Sequence, residues 1–201
     1  MLPRRYPFYF FVLLISCTLL ISEALVTADA QTVPPPDTKL ALKAALVVTP
    51  EFCATKFTKG SWATVKETFE VGKIACAELE PALQKVFSSL TSVTVAPSSG
   101  NAPSTDAQVV LTPRFVDVGA GVGVTAFSNR EMDVFLEWTV KDASGKTVWI
   151  ETVQGSSKHH MGNVFTHSKN LKLIVSDSVR DAAQQSAIKM SSAVELRSLT
   201  P

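Results

Sequence analysis

Two alternating runs on either side of Asp142-Ala143-Ser144-Gly145 constrain this chain more than any other feature. From Glu131 to Lys141 the apolar residues Met132, Val134, Leu136, Trp138 and Val140 fall at every second place. Successive side chains of a strand point to opposite faces, so this run is a strand with one buried face. Asp-Ala-Ser-Gly is turn chemistry, and it returns the chain into Lys146–Gln154, where Val148, Ile150 and Thr152 share a face. A hairpin of this length excludes an all-helical fold and needs a further layer to cover its apolar side. We place Met132–Val140 and Val148–Val153 at the centre of a sheet.

The other segments supply that layer and more strands. Leu40–Val48 is apolar and bounded by Pro50, which predicts a buried strand. Glu51–Ser61 is a loop, and Trp62–Phe69 alternates as a half-buried strand. Gly72–Leu90 has helical period, with Ile74, Leu79, Leu83, Val86, Phe87 and Leu90 on one stripe and Pro81 inside it. Val93–Ala96 is a short strand, Pro97–Thr105 a surface loop, and Gln108–Asp117 a strand with Val109, Leu111 and Phe115 alternating. Pro113 implies an edge position or a bulge there, and Gly119, Gly121 and Gly123 a turn or distorted strand. Gly155–Ser168 is a polar loop. Asn170–Arg197 is a long helix whose buried stripe is Ile174, Val175, Val179, Ala182, Ala183, Ala187, Met190 and Val194. The expected fold class is α+β: a mostly antiparallel sheet of four to six strands, with two main helices packed on one face, in a single domain over 39–201.

Before that domain lies an export segment. Arg4 and Arg5 precede an apolar run from Phe8 to Ile21, and Ala28-Asp29-Ala30 is a small-x-small cleavage signal. Residues 1–30 therefore read as a signal peptide, with Gln31 as the mature start. A second reading stays open: Leu14-Ile15-Ser16-Cys17 is similar to a lipobox, which would put a lipid on Cys17 and hold the N-terminus at a membrane. The residues after Cys17 are apolar, where a lipoprotein usually carries a polar tether. Gln31–Thr38, with three consecutive prolines, is an extended linker. In an oxidising compartment Cys53 and Cys76 either form a disulfide, or Cys76 is a small buried helix residue. Lys+Arg 19 against Asp+Glu 18 leaves no global field to attract nucleic acid.

The residues that could carry chemistry are not assembled for it. Gly119-Ala120-Gly121-Val122-Gly123 runs on into strand-like residues, not into the helix a phosphate loop needs. His159, His160 and His167 match no zinc spacing. Ser156 and Ser157 near His159 lack an orienting carboxylate, and Glu78 and Glu80 point to different helix faces. We therefore assign no catalytic, cofactor or metal site. Trp138 and Trp149, on neighbouring strands, are either a stacking platform for sugar or lipid, or core packing.

Several stretches together resemble a known type. They are Leu46–Phe52, Phe69-Glu70-Val71-Gly72, Val86-Phe87, Asp106–Arg114, Val140–Trp149 and the Ala-rich last helix. This layout resembles small envelope proteins of the YajG-like lipoprotein type, and is similar to the lipopolysaccharide-assembly lipoprotein LptE and to transport-auxiliary lipoproteins. The resemblance implies a small α+β domain at a bacterial envelope, in the periplasm or at the outer-membrane periphery, usually without catalysis. The expected function is a non-enzymatic interaction or accessory module for assembly or transport, with another envelope protein as partner. The alternative is a lipid- or glycan-binding carrier or sensor. The candidate partner or ligand surface is Trp138, Trp149 and the edge implied by Pro113.

Overall fold

The strand expected at Leu40–Val48 is β1, which buries Leu40, Leu42, Ala44, Leu46 and Val48 on one side. The computed structural model describes residues 39–60, 66–95, 106–120, 129–160 and 167–200. The readings of the signal peptide, of Cys17, of the Gln31–Thr38 linker, of Trp62–Val65, of Pro97–Thr105 and of Gly121 and Gly123 lie outside those residues.

After β1 the chain makes a single helical turn, α1 (Pro50–Cys53), where a loop was expected. Proline suits a helix start because its missing N–H would be unpaired there anyway, and Thr49 Oγ1 accepts from the Phe52 N–H at 3.1 Å. A small antiparallel hairpin follows, β2 (Phe57–Gly60) with β3 (Lys66–Phe69). Next comes α2 (Val71–Leu83), with Pro81 in its last turn. The expected helix stops there: Phe87–Thr94 is a strand, β4, whose end contains the short strand expected at Val93. Val86, Phe87 and Leu90 continued the helical spacing by coincidence. The β-branched Thr91, Val93 and Thr94 that follow suit a pleated surface instead.

That difference changes the sheet. With β5 (Val109–Ala120), β6 (Asn129–Asp142) and β7 (Thr147–His160), the strand order is β4-β1-β5-β6-β7. β1 is parallel to both β4 and β5, whereas β5–β6 and β6–β7 are antiparallel. The sheet is therefore mixed, not mostly antiparallel. The reason is that β1, α2 and β4 form a strand–helix–strand crossover, which brings the second strand back parallel to the first. The β6–β7 hairpin lies at one side of the sheet instead of its centre, because β5 intervenes between it and β1.

The second long helix is α3 (His167–Ser192), followed after Ala193 by a separate turn, α4 (Val194–Arg197). Ala193 is extended, with ψ 119°, which breaks the expected continuous helix. The break turns Val194 outward (75% exposed) and buries Leu196 in its place. α3 packs along β7 and β6, and α2 lies beside α3. Together they cover one face, where Leu79, Leu83, Leu111, Val134, Leu136, Ile174, Val179 and Met190 form a continuous core.

The β6–β7 turn is held by one carboxylate. Asp142 Oδ1 accepts from the Ser144 N–H at 2.9 Å, the Ser144 hydroxyl at 2.6 Å and the Lys146 N–H at 3.0 Å. Gly145 has φ 82°, a conformation that favours glycine. The Ser144 hydroxyl is the main reason the Asp142 carboxyl is held below its ordinary value; the two backbone N–H groups and Lys146 add to it, and desolvation opposes it. A carboxyl lowered in the folded state contributes its stability above the unfolded value and loses it as pH falls through the folded one. Asp142→Ala is thus expected to destabilise at neutral pH, and its difference from the parent should shrink at acid pH, as the lowered carboxyl of the folded state takes up its proton. Urea unfolding at both pH values checks this, and an unchanged difference would contradict it.

Candidate functional site

The sheet has two faces, and the helices cover one. Trp138 and Trp149 both lie on the covered side. Trp138 shares its face with Met132, Val134, Leu136 and Val140; it is 0% exposed, and its indole N–H donates to Ser186 Oγ at 2.8 Å. Trp149 pairs with Val140 in the hairpin register, so it faces the same way and is 9% exposed. The two tryptophans are core residues and offer no surface platform. On β7 the buried set is Trp149, Val153 and Gly155, which leaves Ile150 on the outside at 60% exposed.

Pro113 is also buried. β1 pairs with β5 only as far as Leu46 opposite Leu111, whereas β5 goes on pairing with β6 through Phe115. Pro113 falls just past that last β1 pair, where no donor is needed on the β1 side. A bulge follows between Phe115 and Asp117. The expected edge is therefore local to one half of β5. It is blunted for strand addition by the missing N–H, and Phe52 of α1 stacks on Phe115 with ring centroids 4.7 Å apart.

What remains open is the outward face of the sheet. Register places Thr112, Thr139 and Ile150 in one cross-strand row on it, next to the row Arg114, Glu137 and Thr152. Ile150 is 60% and Val116 50% exposed, and Val110, Phe135 and Val148 are half-buried. Parallel strands usually have both faces covered, and on β1 Ala45, which alternates with the core residues Ala44 and Leu46, is 0% exposed, so the exposed apolar side chains lie on β5 and β7. Polar pairs lie between and beside these apolar residues, the Arg114–Glu137 row separating Ile150 from Val116 and Phe135. Arg114 Nη2 donates to Glu137 Oε1 at 2.8 Å, Asp133 accepts from the Ser156 hydroxyl at 2.6 Å and from Gln154 at 3.0 Å, and Lys158 pairs with Glu131.

The remaining polar residues tie elements together. β7 runs to His160, beyond the expected loop start, so His159 and His160 sit on a strand and point to opposite faces. His159 Nε2 lies 2.8 Å from Asp177 Oδ2, and Arg180 bridges Asp177 at 2.9 Å and Glu78 at 3.2 Å. The hydrogen bond to Glu78 is the main reason the Arg180 guanidinium is raised above its ordinary value. This chain links β7, α3 and α2. Ser156 faces out and His159 faces the helix, so the two do not meet. Glu80 accepts from Gln84 and Glu78 from Arg180, on separate faces. Among the described residues, no group of three or more His, Cys, Asp or Glu side chains is placed to hold a metal ion. Gly119 lies within β5. Cys53 and Cys76 are joined as a disulfide, with Cα atoms 5.8 Å apart.

No protein-family model matches the sequence, and the search of curated proteins finds no match. Among solved structures, a DUF330-family protein from Xanthomonas campestris matches with a TM-score of 0.51 at 5% identity, covering 77% of this chain and 88% of that one. A minor lipoprotein from Acinetobacter baumannii matches with a TM-score of 0.45 at 13% identity, covering 76% of this chain and 92% of that one. The chain is thus an α+β protein that shares its fold with the DUF330-family protein. Among the described residues, no helix is long and apolar enough to cross a membrane.

Proposed function

We propose that this chain is an exported, non-catalytic accessory protein of a bacterial envelope, which binds a protein partner through the uncovered face of its sheet. In layout it is similar to the YajG- and LptE-like envelope lipoproteins. The observation that carries it is that Ile150 and Val116 are both exposed on the face of the sheet opposite the one that α3 and α2 bury. The Arg4–Ala30 export pattern and the Cys53–Cys76 disulfide support the compartment. The carrier alternative needs space between helix and sheet, and Trp138 occupies that space.

Ile150→Glu and Val116→Lys test the face. Both sites are exposed, so each variant is expected to stay within about 0.5 kcal/mol of the parent in stability. Each should release the partner that co-purifies with the parent from its own envelope. Partner retained at full stoichiometry by both variants would sink the proposal, as would co-purified lipid or glycan with no protein. Mass spectrometry of the mature chain separates a start at Gln31 from a lipidated Cys17, and an intact Met1 would reject export by cleavage.

A further inference from the structure

We infer that the Cys53–Cys76 disulfide is a thiol–disulfide exchange site on the folded protein, open to attack by a dithiol. Cys53 ends α1 and Cys76 lies in the second turn of α2. Their neighbours Phe52, Val71, Ala75 and Leu79 are buried, but both cysteines are only partly so. They line a shallow surface pocket of about 180 Å³ together with Ala54, Lys56, Glu70 and Lys73. An attacking sulfur reaches the bond there without opening the core.

The lining also suits the chemistry. Exchange passes through thiolates, one attacking and one leaving, and nearby ammonium groups favour both. Lys56 and Lys73 supply two, and Glu70, the one acid of the lining, is 3.7 Å from Lys73. In the first step a thiolate of the dithiol bonds to one cysteine sulfur. The S–S bond breaks, and its electron pair leaves on the other cysteine, which takes a proton from water. In the second step the remaining thiol of the reductant loses its proton to water, attacks the mixed disulfide as the thiolate and closes its own disulfide, and the second cysteine leaves as a thiolate that takes up a proton from water. Two electrons and two protons pass from the dithiol to the protein.

Reduction is local because other contacts hold the joint. The Gly72 N–H donates to Thr55 O at 3.0 Å, Thr49 caps α1, and Phe52 stays stacked on Phe115. A Cβ on Gly72 would lie 2.1 Å from Phe52 O, so α1 and α2 are also in close backbone contact beside the bond. Exchange therefore changes how firmly α1 is clamped beneath β5 and leaves the sheet and the two long helices in place.

The test follows alkylation of the two cysteines by mass spectrometry in the native full-length protein, with dithiothreitol in one arm and reduced thioredoxin, a protein dithiol, in the other. Both are expected to make Cys53 and Cys76 alkylatable well before unfolding, with the near-ultraviolet circular dichroism of the core tryptophans Trp138 and Trp149 retained. The reduced protein should melt roughly 10 °C lower, as expected for opening a loop with a sequence separation of 23. Lys56→Glu with Lys73→Glu should slow the exchange about fivefold at low salt. Alkylation no faster than global unfolding, loss of the tryptophan signal on reduction, or rates unmoved by the charge reversal would each overturn the inference.

Discussion

Replacing Trp138 with alanine is expected to cost about 3–5 kcal/mol, the usual range for deleting a buried tryptophan. The side chain is 0% exposed between β6 and α3, where it belongs to the continuous core and its indole reaches Ser186 of α3. Truncation leaves a cavity that a sheet backed by a long helix cannot easily close. Trp138→Phe separates volume from polarity. It keeps most of the apolar filling and loses only the 2.8 Å bond to Ser186 Oγ. The Ser186 hydroxyl still donates to Ala182 O at 2.7 Å, so no buried donor is orphaned, and the cost should be about 1–2 kcal/mol. Urea unfolding of both variants checks the pair. A Trp138→Ala loss below about 1 kcal/mol would mean that the residue is not packed as described.

Gly155→Ala should be as damaging, although it adds a single methyl group. Gly155 pairs with Val134 at the point where α3 crosses β7. A Cβ there would lie 2.1 Å from Ala182 N and 2.4 Å from Ser178 O. Both are backbone atoms of α3, so no side chain can rotate away and the helix itself must move. That movement would open the packing around Ile174, Val175 and Val179. It would also strain the 2.8 Å bond from the Ser156 N–H to Asp181 Oδ2. A loss of about 3 kcal/mol or more is expected, the upper end for overpacking. Gly119→Ala is the control. Nothing lies within 4 Å of a Cβ at that position, so a change within about 0.5 kcal/mol is expected. Equal losses from both substitutions would refute the close crossing.

The candidate surface was partly legible before the structure. Trp138 shares its parity with Met132, Val134, Leu136 and Val140, so its burial followed from the pattern that defined the strand. Simple counting back from the Asp142–Gly145 turn would set Val140 against Val148; a register shift beside the turn sets Val140 against Trp149 instead, and that shift buries Trp149. Ile150 as an exposed residue was not legible, because β7 carries apolar residues in both parities: Val148 and Ile150 in one, Trp149 and Val153 in the other. A period of two defines two faces and does not say which is wet. Contact with α3 decides that.

Local chemistry alone determined the β6 strand, the turn closed by Asp142 and Gly145, most of the α3 stripe, and the existence of two cysteines able to pair. Each depends on residues a few places apart, where period and turn preference act directly. The tertiary structure alone decided that β4 is a strand, that β1 is parallel to both its neighbours, and that Val194 turns outward while Leu196 turns in. It also decided that Gly155 must lack a side chain. These features depend on partners such as Leu46 with Leu111, or Gly155 with Ala182, that are brought together only by the fold. A helical spacing such as Val86, Phe87 and Leu90 costs nothing to satisfy locally, and pairing with β1 overrides it.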